Sequence, residues 1–218
     1  MHTRQVAGSA RTGSATLSSR PRLDPPGWLD RSASLSEAYS LAAAAHGSER
    51  RATDRHYFLD HVVEVASMLH DAGFDEELVA VGLLHDAVER GSLDEDHLER
   101  RMGPAVAALV LALSEDPTIP TFDLRKAGLR AQVEAAGARA VTVYAADKLS
   151  DIRGLRRGIA TRPDGLEQRM GTTVDGMASH YHDSVDMIAT VLPTVVFLPR
   201  LRIELRRLED EARNERSI

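Results

Sequence analysis

Leu-Leu-His85-Asp86-Ala-Val-Glu89 places an imidazole and two carboxylates at the end of a stretch that is otherwise almost wholly apolar from Leu78 to Val88. A segment apolar on every face reads as a buried helix. A histidine and carboxylates there are costly unless they are paired or bound to a metal. Imidazole and carboxylate together suit a hard-to-borderline ion such as Mn²⁺ or Fe²⁺, with positions left open for water. His85 and Asp86 diverge by about 100° around a helix, so they can share an ion only at one edge, with further ligands from other elements. His61 and Asp147 are the candidates, since each sits in an apolar helical context. Gly82 precedes His85 by three residues and Asp86 by four, and its missing side chain would let another helix approach both.

Helical periodicity runs through the elements that must hold these groups, and strand alternation is absent. Helices are expected over 34–46, 57–70, from the Asp75 N-cap through His85, 93–102, 104–114, 124–136, 138–155, 174–190 and 199–213, with Ala72-Gly73 as a C-cap. Arg50–His56 reads as a polar loop. Residues 158–176 hold Gly158, Gly165, Gly171, Gly176 and Pro163, which predicts a long functional loop or lid. The fold class is all-α. The expected organisation is a disordered leader over 1–32, a catalytic domain over 33–192, and a C-terminal helix over 193–218 that packs on the domain or on a partner, so that a homodimer is one expectation.

The composition narrows the function. A net charge of −6 argues against nucleic acid as a partner, because such proteins carry a basic face. Basic residues are almost all arginine; the chain has only two lysines, Lys126 and Lys148, a bias that resembles high-GC codon usage. Without cysteine, thiolate metal sites and disulfides are excluded. The apolar runs 106–113 and 187–198 are too short or broken for a bilayer, which needs about 20 residues. No apolar signal follows Met1, so a cytoplasmic location without membrane attachment is expected.

Four motifs in order carry a resemblance: Ala45-His46; Tyr57…His61-Val-Val-Glu-Val-Ala; Leu-Leu-His85-Asp86-Ala-Val-Glu89; and Ala-Asp147-Lys-Leu-Ser-Asp-Ile-Arg153. Across roughly residues 37–190 the chain resembles the HD-domain metal-dependent phosphohydrolase superfamily, and within it the hydrolase domain of RelA/SpoT-type alarmone enzymes and their small stand-alone homologues. The resemblance implies an all-α HD-domain helical bundle, with His61, His85, Asp86 and Asp147 as ligands of one Mn²⁺, Fe²⁺ or another divalent ion being the substitutes. Glu89 then corresponds to the acid that positions or deprotonates the attacking water. Arg50, Arg51, Arg90, Lys148 and Asp151 fall where substrate is bound. The chain departs from the family pattern at Arg90 (aspartate is usual), Asp151 (asparagine), Val62 (proline) and Tyr144 (lysine). Arg90, beside Glu89, is expected to contact a substrate phosphate.

The implied activity is hydrolysis of a phosphorylated nucleotide by metal-activated water, the 3′-diphosphate of a guanosine alarmone being the leading substrate. The alternatives are another phosphorylated metabolite, such as a nucleoside monophosphate or the 2′-phosphate of NADPH, and a degenerate domain that binds nucleotide without turnover. The other histidines have plainer expectations. His70 meets a helix dipole at a C-terminus, His180 and His182 are structural or solvent-facing, His46 anchors a loop, and His56 and His97 lie on the surface.

Overall fold

The structure, a computed structural model, describes residues 24–89 and 93–215. Among these residues it is all-α, with ten α-helices and a short 3-10 turn at Leu29–Arg31. The helices are α1 (Ala33–His46), α2 (Phe58–Asp71), α3 (Glu76–Leu84), α4 (Glu95–Met102), α5 (Pro104–Ala112), α6 (Phe122–Ala136), α7 (Ala138–Thr161), α8 (Leu166–Met170), α9 (Val174–Val191) and α10 (Leu198–Glu215). Leu29, within the stretch read from sequence as leader, is buried in the core, and Trp28 stacks on His70. Most of the leader lies outside the described residues.

α3 is the hub. Asp75 caps it by accepting a hydrogen bond from the Leu78 amide at 2.9 Å, and every residue from Leu78 to Leu84 is buried. Helices α1, α2, α5 and α7 surround it. Each of its valines and leucines contributes about 1.5–3 kcal/mol by leaving water, so a nine-residue helix too short to persist alone is held by its packing. Gly82 is what brings α2 close: a Cβ there would stand 2.8 Å from Leu69 Cδ1 and 3.1 Å from Ala66 Cα. The regular helix ends at Leu84, one residue earlier than the sequence reading, and His85 to Glu89 continue as turns that begin with the Ala87 amide on the Leu84 carbonyl.

α7 is the second pillar. It crosses α2, α3, α6, α9 and α10 and runs six residues beyond the predicted end at Leu155. The loop expected over 158–176 is therefore replaced by the end of α7, the short helix α8 and the start of α9. Its glycines serve packing and caps rather than disorder. A Cβ on Gly158 would lie 2.6 Å from the Thr53 carbonyl oxygen, while Gly165 and Gly171 bracket α8 in the left-handed region at φ 65° and 68°.

α10 lays Leu201, Leu205, Leu208 and Ala212 on α7 and α9. Its buried Glu204 is paired with Arg156 of α7. No helix among the described residues is long and apolar enough to cross a membrane.

Candidate metal centre

The candidate ligands come from three elements. His61 lies on α2, His85 and Asp86 on the turn after α3, and Asp147 near the middle of α7. His85 Nε2 is 3.2 Å from Asp86 Oδ2 and 3.4 Å from Asp147 Oδ1; His61 Nε2 is 3.6 Å and 3.3 Å from the same two atoms. The two imidazoles meet edge to face at 5.3 Å between centroids. His61 and His85 are almost wholly buried, at 3% and 2% exposed.

Hydrogen bonds decide which ring nitrogens face that centre. His85 Nδ1 is 2.9 Å from the Gly82 carbonyl, which can only accept, so Nδ1 carries the proton and Nε2 presents a lone pair. His61 Nδ1 is 2.9 Å from Ser150 Oγ. That hydroxyl donates its one proton to Glu64 Oε2 at 2.8 Å, so it must accept from His61, and the Nε2 of His61 is bare as well. With both rings neutral, two lone pairs and two carboxylate oxygens thus converge on one point. His85 Nε2 is buried without a hydrogen-bond partner. The nitrogen and oxygen donors of the cluster are those a divalent ion takes. The residues fit the group.

The electrostatics show how strongly this point draws positive charge. Burial opposes charge on His85, but Asp86 and Asp147 outweigh it and push its pKa well above the ordinary value. Burial raises Asp86 and Asp147, yet His85 for the first, and Lys148 with His85 for the second, hold both well below the usual carboxylate range. The cluster attracts positive charge, which a proton on His85 supplies only poorly and a metal supplies fully. Asp151 also reaches the edge of the centre, within 4.8 Å of donor atoms of His61 and Asp147.

Beside the centre lies a cavity of about 170 Å³. Asp86, Asp147, Lys148 and Asp151 line one wall, Arg51, Ala52, Thr53 and Phe58 the second, and Glu89, Leu113, Glu115, Lys126 and Leu129 the third. Lys148 donates to Asp151 at 2.7 Å and sits 2.9 Å from Asp147. Burial disfavours its charge, but those two acids outweigh it and raise its pKa well above the ordinary value. Arg51 donates to the other oxygen of Asp151 at 2.7 Å, its guanidinium laid over Gly154 of α7 where a Cβ would clash.

Glu89 accepts from the Glu115 amide at 3.1 Å. The residue is exposed, yet desolvation of its carboxyl, then the charges of Asp86 and Glu115, push its pKa up to about 7.

The structure thus brings His61, His85, Asp86, Asp147, Glu89, Arg51, Lys148 and Asp151 to one place. Arg50 stands apart from that cavity: its guanidinium lies 3.7 Å over the Tyr57 ring and donates to the Arg55 carbonyl. Arg90 lies outside the described residues. His46 is buried at the end of α1 against Phe58, with Nδ1 3.4 Å from Glu49. His180 is also buried, accepting from Arg130 at 2.9 Å; burial, then Lys148 and Lys126, hold its pKa far below the ordinary value.

Apart from Glu89, sequence reasoning does not find the third wall. Glu115 sits in a turn-rich break and accepts from Arg125 and Lys126 of α6, and nothing local marks either residue. One signal is present: both lysines of the chain, Lys126 and Lys148, line the cavity.

Comparison with known proteins agrees with this geometry. A family model described as HD domain matches residues 38–173. The guanosine-3′,5′-bis(diphosphate) 3′-pyrophosphohydrolase MESH1 of Homo sapiens is 35% identical over 133 residues, 57% of this chain and 71% of that protein. GTP pyrophosphokinase rsh of Brucella ovis is 33% identical over 129 residues, 56% of this chain, and the chain spans only 17% of that relative's length. A solved structure described as a metazoan ortholog of SpoT that hydrolyzes ppGpp superposes with a TM-score of 0.68 at 25% identity, covering 81% of this chain and 96% of that one. A Listeria monocytogenes EGD-e structure, at 24% identity and a TM-score of 0.61, shares the fold. Ligand-type residues, helical fold and sequence likeness coincide, and the chain belongs to the HD-domain family.

Proposed function

We propose that the protein is a divalent-metal-dependent phosphohydrolase acting on a phosphorylated nucleotide, with the 3′-diphosphate of a guanosine alarmone as its leading substrate and Mn²⁺ as its ion. The observation that carries this reading is the convergence of the bare Nε2 atoms of His61 and His85 on carboxylate oxygens of Asp86 and Asp147, at 3.2–3.6 Å. These four residues would hold the ion. When bound, it lowers the pKa of a water and polarises a phosphoryl oxygen.

The remaining roles fall to the cavity walls. Glu89 lines the cavity together with Asp86, and desolvation raises its carboxyl pKa, which supports it as the group that receives the proton of the attacking water. Lys148 and Arg51, with Lys126 opposite, offer cations to phosphoryl oxygens. Leu113, Leu129 and Phe58 offer apolar surface to a base or sugar. The likeness to MESH1 and to the SpoT-like structure supports the alarmone as substrate. We place the activity in the cytoplasm, with α10 packed on the domain and the pairing of two chains left to a direct measurement of mass in solution.

One observation favours a second reading. Asp151 accepts from both Arg51 and Lys148 and offsets one of their two positive charges, which favours a substrate with fewer negative charges than a bis-diphosphate, such as a nucleoside monophosphate or the 2′-phosphate of NADPH. The test is phosphate and pyrophosphate release by the full chain with added Mn²⁺ over a nucleotide panel. Pyrophosphate from the alarmone supports the first reading, and inorganic phosphate from another compound supports the second. Tight binding with no release of either would overturn both in favour of a domain that binds nucleotide without turnover.

A further inference from the structure

The two histidines are held by different means. His85 hangs from the backbone of its own helix, through the Gly82 carbonyl at 2.9 Å, a contact that no side-chain substitution on a neighbouring element removes. His61 is held by a chain of side chains that crosses between two helices: His61 Nδ1 to Ser150 Oγ at 2.9 Å, and Ser150 Oγ to Glu64 Oε2 at 2.8 Å. Ser150 is fully buried, and it lies on α7 three residues after Asp147. Glu64 lies on α2 three residues after His61. Arg153, a turn further along α7, donates to the other oxygen of Glu64 at 3.0 Å, and Arg157 stands 3.9 Å from Oε2 itself.

We propose that Glu64 and Ser150 form a positioning relay for the metal centre, acting through His61. The relay fixes the proton of His61 on Nδ1, aims Nε2 at the centre, and passes the negative character of Glu64 into the ring through one hydroxyl. This inference rests on the metal-centre reading above. The direction of the chain follows from proton counting. Ser150 has a single proton and Glu64 Oε2 can only accept it, so the hydroxyl is left as an acceptor for the imidazole N–H. The serine is what makes the arrangement possible, because the carboxylate of Glu64 is bonded to the hydroxyl rather than to the ring.

Partners of this kind around a ligating imidazole set its orientation and basicity, and their loss costs about tenfold to a hundredfold in metal affinity. The relay also ties α2 to α7 at the same level at which those helices present His61 and Asp147. A shift of one helix against the other is therefore felt at both ligands. Phe58 supports the ring from the side, meeting His61 edge to face at 5.3 Å, but it carries no proton and cannot select a tautomer.

The experiment is Mn²⁺ titration of the metal-free full chain by calorimetry, combined with proton–nitrogen correlation NMR that reports which nitrogen of each histidine is protonated. In the metal-free wild type, at a pH high enough for both rings to be neutral, His61 and His85 are both expected as Nδ1–H. Ser150→Ala should weaken Mn²⁺ binding by about tenfold or more and give His61 a mixture of tautomers, while His85 stays as Nδ1–H. Ser150→Thr, which keeps the hydroxyl, should bind within about threefold of the wild type, since its partners are retained. Glu64→Gln should fall between the two.

If Ser150→Ala leaves both the affinity and the His61 tautomer unchanged, the relay is wrong. If Ser150→Ala and Ser150→Thr lose affinity equally while His61 remains Nδ1–H in both, the contribution is packing alone and the proposal fails. Should the wild type bind no Mn²⁺, the metal-centre reading is what fails, and the tautomer of His61 in Ser150→Ala then decides the relay alone.

Discussion

The carbonyl oxygen of Thr53 lies 2.6 Å from the point where a side chain on Gly158 would begin. The loop that forms one wall of the cavity therefore rests directly on the backbone of α7. Gly154, one turn earlier, does the same for the guanidinium of Arg51. Arg157 and Arg169 hold the loop from outside, the first on Asp54 and the second on the Ala52 carbonyl.

Gly158→Ala should push this wall away from α7, because a carbonyl cannot swing aside as a flexible side chain can. Overpacking of this kind costs about 1–3 kcal/mol. Urea unfolding should show a lower midpoint, and the KM for the nucleotide should rise more than kcat falls, since the loop carries Arg51 rather than a metal ligand. An unchanged midpoint together with an unchanged KM would show that the loop has room to spare.

Mn²⁺ should stabilise the folded chain. An ion that binds only the native state adds about 2.7 kcal/mol at a concentration one hundred times its Kd, so thermal unfolding should rise with Mn²⁺ and fall back with a chelator. His85→Ala should abolish that rise. A Tm that responds equally in wild type and His85→Ala would place the ion elsewhere.

Asp151→Asn should increase the affinity for highly charged nucleotides. Asp151 accepts from both Arg51 and Lys148, and removing its charge frees Arg51 of that counter-charge and leaves Lys148 with Asp147 alone. An effect of about 1 kcal/mol, roughly fivefold in KM, is expected for a charge at this distance in a partly solvated cavity, and it should shrink at high salt. A rise in KM would instead mean that Asp151 serves to orient those cations.

Glu89 gives a pH signature in the metal-free protein. Its carboxyl titrates at about 7 in the fold against an ordinary 4.5. Between those values the native state holds a proton that the unfolded chain has released, so stability falls as pH rises through the window. The contribution is complete below about 4.5 and gone above about 7. Glu89→Gln should lose this slope in urea midpoints measured with a chelator across that window. Parallel curves for the two proteins would assign the slope to another group.

The architecture was legible wherever local chemistry dictates it. Asp75 caps α3 as its side chain and position require, and the glycine after Ala72 ends α2 in the left-handed conformation. Gly82 was readable as a point of close approach because it lies beneath the two polar residues of an apolar helix, and α2 does pack there. The glycines of 158–176 carry the opposite lesson. Glycine marks a turn and a close backbone contact with the same letter, so Gly158 reads as a break in the sequence and acts as a contact inside α7.

By itself, then, the sequence determined the helices other than α8 and the end of α7, the buried character of α3 and the four ligand-type residues, because periodicity, capping and the cost of burying polar groups are local properties. Only the tertiary structure decided which nitrogen each histidine turns to the centre, and that Glu115 and Lys126 close the cavity. It also decided that Arg50 turns away onto Tyr57 while Arg51 meets Asp151. A tautomer depends on the partner of the opposite nitrogen, and for His61 that partner is Ser150, 89 positions further along the chain. Contacts of that separation are set by how α2, α3 and α7 pack, and no local rule encodes them.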